Sequence, residues 1–289
     1  MTWNQDKRVY VDDQGNDIPA SQMRDYVDQY IASNQDDVDT KSAELLAGTI
    51  TVAAFFEWMR ETIISMHGVA SILAYGGEAE MTATEWQRVA EKVTEELAYL
   101  ENFEAKVEQA QASSEAIAAD AASLIARNVD VPAGLESVVE GRVLSALMNG
   151  ESVEDAISAA LADSISTEAA DAVAASIVGD ITDTRMEDLI WGNVDNRARL
   201  YMDSVFGSYE NSVRDREGDA GAVGVRRVTE GDDHVCDGCE GAASDEYVPM
   251  SEIADIGDFE CGGRDRCSFE FEYLNVEPLT IDREIYAGA

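Results

Sequence analysis

In the stretch "TITVAAFFEWMRETIISMHGVASILAYGG", Phe55, Met59, Ile63, Met66, Ala70 and Leu73 step by three or four positions. That period places them along one face of a helix. Gly76 and Gly77 supply a C-terminal cap. Thr82 and Glu85 then form a capping-box pattern, and Trp86, Val89, Val93, Leu97, Leu100, Phe103 and Val107 continue the apolar stripe. The pattern predicts two long amphipathic helices, over about 50–75 and 82–108, that pack on each other across a short turn. Ahead of them, "RVYVDDQGNDIP" reads as a β-hairpin with "DDQGND" as its turn. Met23, Tyr26, Tyr30 and Ile31 predict a helix from Ser21, and a separate short helix follows around "KSAELLAG", ending at Gly48.

Beyond residue 110 the apolar positions thin out. "QAQASSEAIAADAASLIARNV" and "EDAISAALADSISTEAADAVAASIVGDI" are rich in Ala, Ser and acids, with Val, Ile and Leu still at helical spacing. Slender helices with small-residue faces are expected, broken at "VPAG" and "MNGES". They fit an arm that gains stability from neighbouring chains, and equally an ordinary helical subdomain. A further helical stretch, from "DTRMEDLIWG" to "RDREGD", carries Met186, Leu189, Ile190, Leu200, Tyr201, Val205 and Phe206. It also concentrates Arg197, Arg199, Arg214 and Arg216, with Arg226 and Arg227 close behind. These arginines suit either ion pairs with neighbouring acids or a surface for an acidic partner.

The period then changes to two. "GVRRVTE", "EYVPM" and "CSFEFEYLNVEPL" alternate as short strands do. All four cysteines fall in this region: Cys236 and Cys239 in "CDGC", Cys261 and Cys267 in "CGGRDRC". Two pairs on turns beside short strands suit a tetrahedral thiolate site, closed and therefore structural, with zinc as its metal. Gly238 and Gly262-Gly263 give the turns their freedom. The second pair is wider than a usual knuckle, so His234 and Asp265 are candidate substitutes or supporting groups. Two disulfides, or free thiols, are the competing readings.

Charge changes the picture most. The 289 residues hold 59 Asp and Glu against 20 Lys and Arg, a net charge of −39 spread along the whole chain. A dispersed acidic surface fits a protein dissolved in concentrated salt, where self-repulsion is screened. The alternative is an acidic partner of a basic surface, or a nucleic-acid mimic. Free nucleic acid is a poor partner for a broad face, because phosphate contacts need clustered bases. No stretch approaches the ~20 apolar residues of a membrane span, and the first residues lack the apolar run of a secretory signal, so a soluble protein made in the cytoplasm is expected. Only His67 and His234 are present, without HExxH, GxSxG or a phosphate-cradling Gly loop, so no enzyme is expected. His67, amid apolar neighbours, reads as a packed core residue.

Taken together, "RRVTEGDDHVCDGC" and "IADIGDFECGGRDRCSFEFEY" resemble the C-terminal module of the head-morphogenesis, or minor head, proteins of tailed phages and tailed archaeal viruses. "NRARLYMDSVFGSYE" is similar to the helix just upstream of that module, and the two strong helices resemble the helical region that precedes it. Where the family's second cysteine group often has a further cysteine, this chain has Asp265. The resemblance implies a non-enzymatic virion protein at or near the portal, assisting head assembly or DNA delivery, in a haloarchaeal setting. Its implied partners are the portal, other head proteins and packaged DNA, with no membrane and no small-molecule substrate. Its implied location is the virion head near the portal, and the host cytoplasm during assembly. Arg197, Arg199, Arg214 and Arg216 would then face the partner. A cytoplasmic zinc-ribbon regulator that binds nucleic acid is the alternative, and the acidic surround of the cysteines argues against it.

The expected architecture is mainly α, with a small β-rich, zinc-ribbon-like cysteine module at the C-terminus. Its expected divisions are a helical region over 1–110, an Ala-rich helical arm over 111–184, a helical connector over 185–224 and the cysteine module over 225–289.

Overall fold

The computed structural model describes residues 1–4, 7, 9–77, 80–128, 134–162, 165–181, 191–229, 237–243, 246–256 and 267–273. Met186, Leu189 and Ile190 lie outside them. Among the described residues the chain is mainly helical, with a three-stranded sheet towards its C-terminus. The elements are β1 (Thr2–Asn4), β2 (Val9–Val11), α1 (Ala20–Leu46), α2 (Val52–Tyr75), α3 (Ala83–Asn128), α4 (Leu135–Met148), α5 (Val153–Leu161), α6 (Thr167–Ile181), a 3-10 turn (Trp191–Asn193), α7 (Val194–Asp219), β3 (Ala222–Val228), α8 (Asp237–Ala242), β4 (Val248–Pro249) and β5 (Ser268–Tyr273).

Packing divides the chain into two units that are discontinuous in sequence. A helical unit takes Pro19–Val69 and Thr82–Val205; a hairpin–sheet unit takes Met1–Ile18, Ala70–Met81 and Phe206–Ala289. In the helical unit the α2 stripe is buried as its period requires: Phe55, Met59, Ile63 and Met66 are wholly inaccessible. Each such side chain contributes roughly 1.5–3 kcal/mol through burial. Phe56 meets Phe103 of α3 edge to face, with centroids 5.3 Å apart, and Arg60 pairs with Glu104 alongside. The capping box forms: the Glu85 amide donates to Thr82 Oγ1 at 3.3 Å, and the Thr82 amide donates to the Glu85 carboxylate.

Two expectations change. The separate helices expected around 21–35 and 41–48 are one helix, α1. The polar run "NQDDVDT" continues it, because Val38 is fully buried while Asp39 accepts from Arg199 at 2.7 Å and Gln35 donates to Asp203 at 2.5 Å. The second strong helix also extends further than its stripe suggested: α3 runs unbroken to Asn128. Its later turns carry Ile117, Ala118, Ala121 and Ile125, which pack with Val139, Val143, Ile157, Leu161, Ala174 and Ile177 of α4, α5 and α6 in one core. The Ala-rich stretch is therefore a helical subdomain with its own apolar interior. Alanine lets these helices approach closely, and the Trp191 indole N–H donates to Ser114 Oγ at 3.0 Å within the same unit. Gly134 and Gly150, at φ of 94° and 69°, bracket α4 where turns were expected.

In the hairpin–sheet unit, β2 pairs antiparallel with β1, Trp3 lying opposite Tyr10. The "DDQGND" turn forms as well, with the Gln14 and Asn16 amides donating to Asp12 Oδ1 at 2.9 and 2.8 Å. Trp3 then covers Gly76, where α2 ends; Gly76 sits at φ 90° and a Cβ there would overlap the indole. On another side the Arg216 guanidinium lies 5.5 Å from the Trp3 ring centroid and donates to the Ala74 carbonyl at 2.5 Å. Gly76→Ala should combine left-handed strain with displacement of Trp3, and lower stability by about 2–4 kcal/mol. Urea unfolding would measure it; a loss under ~0.5 kcal/mol would mean the hairpin does not depend on that contact.

Candidate metal centre

The sheet has order β4-β3-β5, all antiparallel, so β3 is its central strand. Strand alternation sends neighbouring side chains to opposite faces. Val225 and Arg227 therefore point into the module, and Arg226 points out. Arg226 lies across from Glu270 and donates to its Oε2 at 2.9 Å, with Tyr247 beneath the guanidinium at 5.1 Å. On the inner face Val225, Cys239, Ile256, Cys267 and Phe269 form one buried core, with Val248, Met250, Ile253 and Phe271 packed around it.

Both described cysteines thus reach the same interior from different elements. Cys239 is carried by α8, whose end runs beside β3 through the Arg227–Ala243 bridge. Cys267 immediately precedes β5. Each is fully buried. The inward guanidinium of Arg227 is 1% exposed, and its Nη1 donates to Cys239 Sγ at 3.5 Å. Its Nη2 donates to the carbonyls of Ala254 and Asp255 at 2.7 and 2.9 Å, and the Phe269 ring lies 5.9 Å away. Cys239 and Cys267 thus share one buried core, and the Arg227 guanidinium lies at the Cys239 sulfur. Cys236, Cys261, His234 and Asp265 lie outside the described residues; among the described ones no cluster of three metal-ligating side chains occurs.

Helix α7 is tied to the module along its second half. Phe206 through Glu210 are all buried, more than one full turn, so every side of the helix is covered there. Buried polar groups need partners, and α7 finds them in β5 and in the loop at Asp255–Ile256. Glu210 accepts from the Phe269 amide at 3.3 Å, and Asn211 exchanges hydrogen bonds with the backbone of Ile256 at 2.8 and 2.9 Å. Arg214 pairs with Asp215 at 2.9 Å and with Asp255, and its guanidinium lies 5.7 Å from the Phe269 ring.

The four arginines expected at a partner surface all make contacts inside the chain. Arg199 grips Asp39 with two nitrogens. Arg197 is exposed, with its guanidinium 5.5 Å from the Phe103 ring. The side chains of Arg214 and Arg216 are only 13% and 17% exposed, the latter pairing with Glu217. Arg227 was not singled out as a site residue. Its signal was present in the alternation of "VGVRRV", which puts Val225 and Arg227 on one face.

No family model, curated protein or solved structure matches the chain. Among the described residues no helix is long and apolar enough to cross a membrane.

Proposed function

We propose that the chain is a structural, non-enzymatic head protein of a tailed virus of a salt-loving host, bound at or near the portal, with a structural zinc held by its cysteine module. The observation that carries this reading is convergence. Segments that resemble the minor head module, far apart in sequence, meet at one buried core: the β3 arginine strand, Cys239, Ile256, Cys267 and the aromatic β5. The upstream helix that shares the resemblance contacts the same module through Glu210. Cys236, Cys239, Cys261 and Cys267 would hold the metal, which supplies a cross-link to a segment too small to build a large core. Partner contact then falls to exposed groups such as Arg197, while Arg214 and Arg216 serve the fold. A zinc-ribbon reader of nucleic acid is disfavoured, because Arg226 and Arg227 are engaged at Glu270 and Cys239.

Co-expression with the portal protein of the same genome, in molar KCl, tests the reading. The two should co-purify, and Arg197→Glu should reduce recovery about tenfold, the scale of one lost charge-assisted contact, without changing helicity. A wild-type chain that neither co-purifies with the portal nor occurs in particles or assembly intermediates would overturn it.

A further inference from the structure

We propose that Asn149 is a deamidation site held shut by the turn between α4 and α5, reacting only when that turn opens. Asn149 and Gly150 form the single Asn-Gly pair in the sequence. The chemistry needs no other side chain. The Gly150 amide nitrogen attacks Asn149 Cγ, the Cγ–Nδ2 bond breaks, and the amide proton departs with Nδ2 as ammonia. Water then opens the five-membered imide at one carbonyl or the other, leaving aspartate or isoaspartate at position 149. Glycine makes the pair reactive, because no side chain shields its nitrogen from attack.

In the folded chain that nitrogen is already engaged. Asn149 caps α4, and Gly150 follows at φ 69°, the left-handed position that ends a helix. The Gly150 amide donates to the Leu147 carbonyl at 3.2 Å, and the Glu151 amide donates to the Ala146 carbonyl at 2.8 Å. These are the paired hydrogen bonds of a Schellman turn. The group to be attacked is held as well, since Asn149 Nδ2 donates to the Ser145 carbonyl at 2.8 Å. Ring closure needs the Gly150 nitrogen turned to eclipse Asn149 Cβ, far from the observed ψ of 1°. Both reacting groups must therefore leave their partners while the backbone rotates. Leu147 before the turn and Val153 after it are buried in one apolar core, so the rotation works against packing on both sides. Asn149 itself is exposed, which leaves water at hand for the second step. Either product adds a negative charge at the negative end of α4, beside Glu151. Isoaspartate also lengthens the backbone by one carbon, so the paired hydrogen bonds cannot be remade as before. The change is one-way and accumulates with time spent open.

The test follows deamidation residue by residue, by peptide mapping with mass spectrometry, in the full chain held at mildly alkaline pH in molar KCl. Native protein is compared with the same chain unfolded in urea and with Leu147→Ala. In the unfolded chain position 149 should react faster than every other asparagine, and Asn149→Gln should abolish the change there. The native rate at Asn149 should be about 10–100-fold lower than the unfolded rate, the scale of a local opening. Leu147→Ala, which loosens the end of α4, should raise the native rate about three- to tenfold. Circular dichroism checks that this variant keeps its helices; Val153→Ala, a smaller cavity on the other side of the turn, replaces it if it does not. An unfolded chain in which Asn149 is no faster than the other asparagines would overturn the site. A native rate equal to the unfolded rate would overturn the protection. A native rate that is low but unmoved by the folded variant would overturn the opening of this turn as its gate.

Discussion

The chain is expected to melt about 10–20 °C higher in 2 M KCl than in dilute buffer. Its net charge of −39 opposes compaction wherever the carboxylates feel one another. Glu101, Glu108, Glu115 and Asp120 line the exposed side of α3, and Glu136, Glu140, Glu154 and Asp171 continue the pattern on α4, α5 and α6. At ~10 mM salt the Debye length is about 30 Å and most of these charges interact; at molar salt it is about 3 Å and few do. Removing roughly 6–12 kcal/mol of repulsion corresponds to the stated shift for a chain of this size. The specific pairs should survive, because those of Arg214 and Arg216 are largely shielded from solvent. Thermal melts across a KCl series measure the effect, with an equally concentrated neutral solute as control. A melting temperature that stays level or falls with KCl, or that rises equally with the neutral solute, would show that repulsion does not govern stability.

Acid should expose a second large effect, at His67. This residue lies on α2 with no solvent-accessible surface, beside the buried Met66 and Ile63. Burial, reinforced by the positive charge of Lys92, pushes its pKa down from 6.5 to about 3. Folded His67 is therefore neutral across a range in which the unfolded chain takes up a proton there. The unfolded state binds more protons between those two values, so stability is fully present above about pH 6.5 and falls as the pH drops towards 3. By pH 4.5 the contribution is about 2–3 kcal/mol, and near pH 3 about 4–5 kcal/mol. The many carboxylates titrate over the same range, so the comparison must be with His67→Leu, which shares them. Urea unfolding of both proteins in molar KCl at pH 7 and 4.5 gives the difference. The wild type should lose about 2–3 kcal/mol more than the variant between those pH values; parallel losses would mean that His67 is protonated in the folded chain.

The parts of this fold legible in the sequence are those where one physical rule acts alone. The α2 stripe, the Gly76 cap, the Thr82–Glu85 box and the alternation of Phe269 and Phe271 each follow from a local period or cap. Helix α1 was split because its middle is polar, and nothing local reveals that Asp39 and Gln35 are anchored by Arg199 and Asp203, far along the chain. The same reason conceals how deeply α7, expected as a helix, is buried. A helix carrying Glu210, Asn211 and Ser212 reads as a surface helix, yet those groups are partnered by Phe269, Ile256 and Ser71 from distant segments. Spacing drew attention to Cys239 and Cys267, and the fold brings both into one buried core. Arg227 was not separated from Arg226, because composition weighs adjacent arginines alike and only the pleat distinguishes them.

The N-terminal hairpin has a further consequence, for synthesis. Trp3 and Tyr10 are made long before Arg216 and the sheet, yet all belong to one packed unit. The helical unit can gather its α2 and α3 interior while translation continues. The hairpin, by contrast, must wait as an unprotected amphipathic segment until α7 has left the ribosome. Loop closure over most of the chain makes that a late and slow step. Ribosome-bound chains stalled so that residues up to about 205 have just emerged would thus carry a folded helical unit and a protease-sensitive beginning, and the first-made segment would be among the last to pack.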